Sequence, residues 1–235
     1  MTADADASGR GLPPGTRLNA LGQPVGPALP GFMPRPRPQR LVHEGRFVRL
    51  EPVEPARHAA SFFAAQALDA AGANWTYLAA EPPADLAAAR AYLEAAAGPD
   101  DPLMFAVAEA GSGAAVGHLS LMRCEPAHGV IEIGNINFTP RLQRTPGATE
   151  AVFLAMRHVF ADLGYRRFEW KCDSLNAPSR RAAVRFGFSY EGLFRQAVVT
   201  KGRSRDTAWY SMLDSEWPAI AAAFIRWLAP DNFDA

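Results

Sequence analysis

Pro140-Arg141-Leu142-Gln143-Arg144-Thr145-Pro146-Gly147-Ala148-Thr149-Glu150-Ala151 is the stretch that decides how this chain is read. Before it comes a strand-like run, Ile131 to Phe138, closed by Thr139-Pro140. After it, Val152, Met156, Val159, Phe160 and Leu163 recur at helical spacing up to Gly164. The spacing predicts an amphipathic helix over 146–163. Thr145 suits its N-cap, Pro146 its first turn, where a missing N–H costs nothing, and Gly164 its C-terminal cap. The N–H groups of Gly147 and Ala148, flanked by Arg141 and Arg144, then form a seat for phosphate or pyrophosphate. Glu150 is expected to support the N-terminus of its own helix.

Working outward, Phe47 to Leu50 reads as a short strand. Pro55 opens a helix through Leu68, and Pro83 opens an Ala-rich one stopped by Gly98-Pro99. Strands follow at about 103–109, 115–123 and 129–138. Beyond the central helix, Phe168, Trp170 and Cys172 alternate along another strand, and Asn176 starts a helix. Strands at about 188–199 and 206–213 lead to a last helix from Glu216 to Leu228. Residues 1–44, rich in Gly and Pro and ending in Pro34-Arg35-Pro36-Arg37-Pro38, read as an extension that is partly disordered. Leu21, Val25, Leu29, Phe32 and Met33 are its candidate anchors, 45–229 is the folded domain, and 230–235 is a tail.

At 235 residues the chain is long enough to bury a real core. Lys plus Arg and Asp plus Glu both number 24, so no basic field argues for a nucleic-acid partner. No run approaches the length of a membrane span, and the polar N-terminus has no apolar signal core. Cys124 and Cys172 both fall in apolar strands, which suits a reducing compartment. A soluble cytoplasmic protein, monomer or homodimer, is the expectation. The five histidines show no metal-ligand spacing, so no metal is expected.

Four pieces, in order, carry a resemblance. Glu132-Ile133-Gly134 ends the strand before the quoted stretch. Next comes the stretch itself, matching P-x-x-Q/W-G-x-G-x-A-T-E-A from Pro140 onward, then Asn176 and Ser179 followed by Gly187-Phe188, Glu191-Gly192 and Arg195. The last is Gly202 with Asp206 and Tyr210. Over roughly residues 45–215 the chain resembles the GNAT N-acetyltransferases, in the branch of the ribosomal-protein N-terminal acetyltransferases. Arg144 and Pro146 replace the family's loop glycines, and one extra residue stands between Gly134 and Pro140. The resemblance implies an α/β (α+β) fold with a mixed, mostly antiparallel central sheet flanked by helices. It implies transfer of acetyl from acetyl-CoA to a primary amine, small molecule or protein N-terminus, in a ternary complex.

The resemblance also assigns roles. The backbone of Ile136 and Phe138 pairs with the pantetheine arm of acetyl-CoA. The loop residues Gln143, Arg144, Thr145, Gly147, Ala148 and Thr149 hold its phosphates, and Asn176 and Ser179 contact the arm or assist the leaving thiolate. Helix capping alone is a sufficient reason for Asn176, and solvated helix arginines are the ordinary reading of Arg180, Arg181 and Arg185. Glu132 is the candidate general base and Asp173 the runner-up; catalysis by positioning alone stays open. Asp206 is expected to pair with Arg195 or Arg203. Phe62, Phe63, Trp75 and Tyr77 either line an acceptor pocket or belong to the core. Two alternatives to an enzyme remain: an acetyl-CoA-binding module without turnover, and an unrelated phosphate-binding α/β protein.

Overall fold

The computed structural model describes residues 14–233. The expectations for residues 1–13 and for the last two of the tail lie outside them. The chain forms two compact units, residues 1–33 and 34–235. In the described part of the first, β1 (Arg17–Leu18) and β2 (Pro24–Val25) pair antiparallel. Asn19 Oδ1 closes their turn, accepting from Leu21 N and Gln23 N at 2.9 Å. Leu21, Val25, Leu29 and Met33 are exposed.

The second unit is built on one eight-stranded sheet. Its strands are β3 (His43–Glu44), β4 (Val48–Pro52), β5 (Leu103–Glu109), β6 (Ala115–Glu125), β7 (Val130–Phe138), β8 (Arg167–Asp173), β9 (Ser189–Thr200) and β10 (Arg203–Leu213). Their order is β3-β4-β5-β6-β7-β8-β10-β9, antiparallel everywhere except β7 with β8. The expected sheet is therefore present, with β3 added at its edge. The helices are α1 (Pro55–Gln66), α2 (Leu86–Ala97), α3 (Pro146–Arg157), α4 (Ala177–Arg185) and α5 (Trp217–Trp227). The helix expected from Pro83 starts later, because Asp85 is the N-cap and accepts from Ala88 N.

Two cores flank the sheet. Leu103, Phe105 and Val107 of β5 pack with α3 residues such as Val152, Leu154 and Met156. Met104 and Ala106 pack with Phe62 of α1 and Leu93 of α2. The alternation of β5 side chains thus feeds both faces, which is why β5 reads as an unbroken apolar run. Trp75 and Phe62 are buried in the second core; Trp75 Nε1 donates to Gln66 Oε1 at 3.0 Å.

The helix expected over 146–163 changes character at His158. Its last stretch, His158–Asp162, is a π-turn closed at Gly164 in the left-handed region. The Pro-Arg-Pro segment lies along this unit. Arg35 N donates to Pro126 O and Tyr165 Oη to Pro36 O, both at 3.0 Å, and Arg40 Nη2 donates to the carbonyls of Gly98 and Pro99.

Candidate active site

The parallel ladder of β7 and β8 runs from Val130 opposite Arg167 to Ile133 opposite Trp170 and goes no further. Past that rung β7 stays with β6, and β8 stays with β10 through Lys171, Cys172 and Asp173. The strands part, and a cavity of 580 Å³ opens between them. A bulge shapes its β7 wall. The β6 register slips between His118 and Ser120, and Asn135 stands at φ +47°. The extra residue noted between Gly134 and Pro140 falls in this bulged segment. His118 braces it, Nδ1 lying 2.8 Å from Asn135 O and Nε2 3.1 Å from Tyr92 Oη. Burial pushes His118 down to about 4, so the ring is neutral, consistent with Nδ1–H donating and Nε2 accepting.

A charged cluster lines the cavity. Lys171 Nζ lies 2.9 Å from Glu132 Oε2, 2.7 Å from Glu169 Oε2 and 3.8 Å from the centroid of the Trp209 ring. Arg123 Nε approaches Glu132 Oε2 at 3.5 Å. Burial raises the Glu132 carboxyl above its ordinary value, and Lys171 pulls part of that back. Tyr77, Phe194 and Trp209 supply aromatic wall. Lys201, at the turn between β9 and β10, ties that hairpin across the opening through Trp75 O at 2.9 Å and Glu81 Oε2 at 3.0 Å.

Asn176 and Ser179 also line the cavity. Asn176 is the N-cap of α4, its Oδ1 accepting from Ser179 N at 3.0 Å. Ser179 Oγ accepts from Trp170 Nε1 at 3.0 Å. Asp173 is taken up by its own turn, accepting from Leu175 N at 2.8 Å.

The cavity therefore gathers Glu132, Ile136, Asp173, Asn176 and Ser179. Phe138 and residues 143–149 are not in its wall. Phe138 O already accepts from Gln143 Nε2 at 2.8 Å and Asn74 Nδ2 at 3.3 Å. Thr145 caps α3 as expected, but the cap uses the Ala148 N–H, at 3.3 Å. Arg141 is held by Glu109 through a fork of 2.6 and 2.7 Å. Thr149 Oγ1 accepts from Arg185 Nη2 at 2.9 Å, while Arg185 itself stays exposed, as expected of a helix arginine. Gly147 is required for packing, since a Cβ there would lie 2.9 Å from Val48 Cγ1. Arg144, exposed and at φ +61°, keeps the left-handed conformation that a glycine would take.

Two carboxylates do other work than the sequence suggests. Glu150 is buried and accepts from the backbone N–H groups of Arg46, Phe47 and Val48 at 2.8, 2.6 and 2.8 Å, so it organises the turn into β4. Asp206 accepts from Gln196 N at 2.7 Å, across the β9–β10 bulge, and not from Arg195 or Arg203. Lys171 and Trp209 escaped the sequence argument. Their one signal was position: Lys171 alternates with Trp170 and Cys172, and so had to face the side opposite the core.

Residues 48–189 match the family model described as an acetyltransferase (GNAT) domain. The chain is 53% identical to a GCN5-related N-acetyltransferase of known structure from Brucella melitensis, at a TM-score of 0.85, covering 88% of this chain and 94% of that one. It is 42% identical to a probable acetyltransferase of the GNAT family from Chromobacterium violaceum, at a TM-score of 0.76, covering 83% and 98%. Among curated proteins, the uncharacterized N-acetyltransferase YnaD of Bacillus subtilis is 28% identical over 102 residues, 43% of this chain and 59% of that protein. The match thus spans less than two thirds of that relative. This chain belongs to the GNAT family of acetyltransferases.

Proposed function

We propose that the protein is an acetyl-CoA-dependent N-acetyltransferase that acetylates a primary amine by direct transfer in a ternary complex. The observation that carries this is the gap between β7 and β8. Its lining includes a capped helix start with a serine hydroxyl and a buried carboxylate, together with aromatic side chains. Acetyl-CoA supplies the acetyl group as a thioester. The β7 backbone beyond Ile133, which no longer pairs with β8, offers ladder groups to an extended arm, Ile136 foremost. Phe138 contributes less, because its carbonyl is engaged.

Ser179 accepts from Trp170 with its oxygen, and its own proton, with the Cys172 sulfur beside it, is turned toward the departing thiolate. Glu132 takes the proton of the incoming amine, directly or through water, and its raised carboxyl brings it nearer the range a base at neutral pH needs. Arg144 is the loop side chain that meets the phosphates, by charge; both amide hydrogens of Gln143 are spent on Asn74 Oδ1 and Phe138 O. The acceptor is a small-molecule amine or a peptide N-terminus. Cys124 and Cys172, buried and unpaired, fit a reducing cytoplasmic setting.

Calorimetry with coenzyme A tests the cofactor assignment. Arg144→Glu is expected to weaken binding about tenfold, roughly 1.4 kcal/mol, without loss of stability. Equal affinity in both proteins removes Arg144 from the site. Thiol release from acetyl-CoA with a panel of amines and peptides tests turnover. Binding without release in any of them makes the protein a non-catalytic acetyl-CoA module.

A further inference from the structure

The fold brings His43 to His158 and Asp162, which are four residues apart, at a place separate from the acetyl cleft. His43 opens the sheet in β3, while His158 and Asp162 lie in the π-turn that ends α3. With the strap of residues 36–42 they line a second cavity, of 460 Å³. The two imidazoles face each other with centroids 4.2 Å apart, tilted by 47°. They are 9% and 4% exposed, and the Nε2 atom of each is buried with no hydrogen-bond partner. His158 Nδ1 lies 2.9 Å from Asp162 Oδ2. One ligating atom from each of the three residues lies within 4.8 Å of the other two.

We propose that this cluster is a binding site for a divalent transition-metal ion of the zinc class, with His43 and His158 as nitrogen ligands and Asp162 orienting His158 from behind. A buried polar nitrogen without a partner is costly, and here both such atoms belong to residues that line one cavity. A cation that accepts both lone pairs removes both costs. The Asp162 carboxylate fixes a proton on Nδ1, so Nε2 of His158 presents its lone pair, the arrangement in which a carboxylate behind a histidine strengthens a metal ligand. Imidazole selects zinc, copper and nickel over magnesium and calcium. Water completes the coordination, since two protein nitrogens leave positions open. The α-helical spacing of residues 146–157 gives way to the π-turn at His158, and such turns concentrate at functional sites. The bound ion ties the edge strand β3 to the end of α3.

The test uses the full-length, tag-free protein stripped with a chelator. Calorimetry with zinc chloride is expected to show one saturable equivalent and a rise in melting temperature, with no response to magnesium. Cobalt(II) is expected to give visible absorption bands of a nitrogen-ligated ion. His43→Gln and His158→Gln each lower zinc affinity at least tenfold, and Asp162→Asn lowers it about tenfold. Melting of the metal-free variants checks that they fold. Should His158→Gln fail to fold, His43→Gln and the exposed Asp162→Asn carry the test. No saturable zinc binding by the wild type, or undiminished binding in His43→Gln and Asp162→Asn, overturns the proposal.

Discussion

Glu132 and Glu169 stand directly opposite each other on the parallel strands β7 and β8, one rung before the strands part. Like charges at paired positions repel, and what makes the pairing tolerable is Lys171, whose Nζ reaches both carboxylates. The Lys171 side chain is 7% exposed and that of Glu132 5%. The cluster is therefore a single electrostatic unit built into the wall of the cleft.

Removing its cation is expected to be severe. Lys171→Met leaves two buried carboxylates without their bridge and is expected to cost about 3 kcal/mol at pH 8. Glu132 titrates above its ordinary value of 4.5 in the folded protein, so its contribution to stability is fully present below that value and is lost as pH rises through the elevated one. Without Lys171 that elevation grows, so the cost of the substitution shrinks at pH 5. Urea denaturation at the two pH values measures this; an equal cost at both contradicts it.

Glu150 gives a second expectation. Three backbone N–H groups converge on its carboxylate, and Gly45 has no room for a side chain because a Cβ would lie 2.5 Å from Glu150 Oε2. Glu150→Ala is expected to destabilise the fold by about 3 kcal/mol or more. Coenzyme A affinity per folded molecule stays near wild type. A stable variant with weakened binding places Glu150 in the cofactor site instead.

Arg144 stands in the left-handed region, which costs a non-glycine residue about 1–2 kcal/mol, partly offset by the greater entropy of an unfolded glycine. Arg144→Gly is expected to raise stability by about 0.5–1 kcal/mol while weakening coenzyme A binding. Thermal melting and calorimetry on the same variant read the two effects separately.

The sequence carried most of the fold because the elements are locally marked. Thr145-Pro146, Asn176 and Gly164 cap helices, and β8 alternates Phe168, Trp170 and Cys172 toward the core. The site was legible where a residue acts through its own element, as Asn176 does. It was illegible where a residue acts across elements. Glu150 reaches the turn before β4, Arg185 reaches Thr149, and Lys171 joins Glu132 to Glu169; none of these pairings has a sequence spacing to betray it. His43 and His158 show the same limit, since β3 was hidden in a Pro-rich lead.

The central claim is that Glu132 accepts the amine proton, and the pH dependence of turnover in Glu132→Gln tests it most directly. Lys171 keeps Glu169 as partner in this variant, so the fold is expected to survive. Affinity for acetyl-CoA is expected to stay unchanged and kcat to fall about 10²-fold or more at neutral pH, with the residual rate climbing as the amine loses its own proton at high pH. A pH–rate curve parallel to that of the wild type, with kcat near its value, would show that Glu132 is only an ion-pair partner.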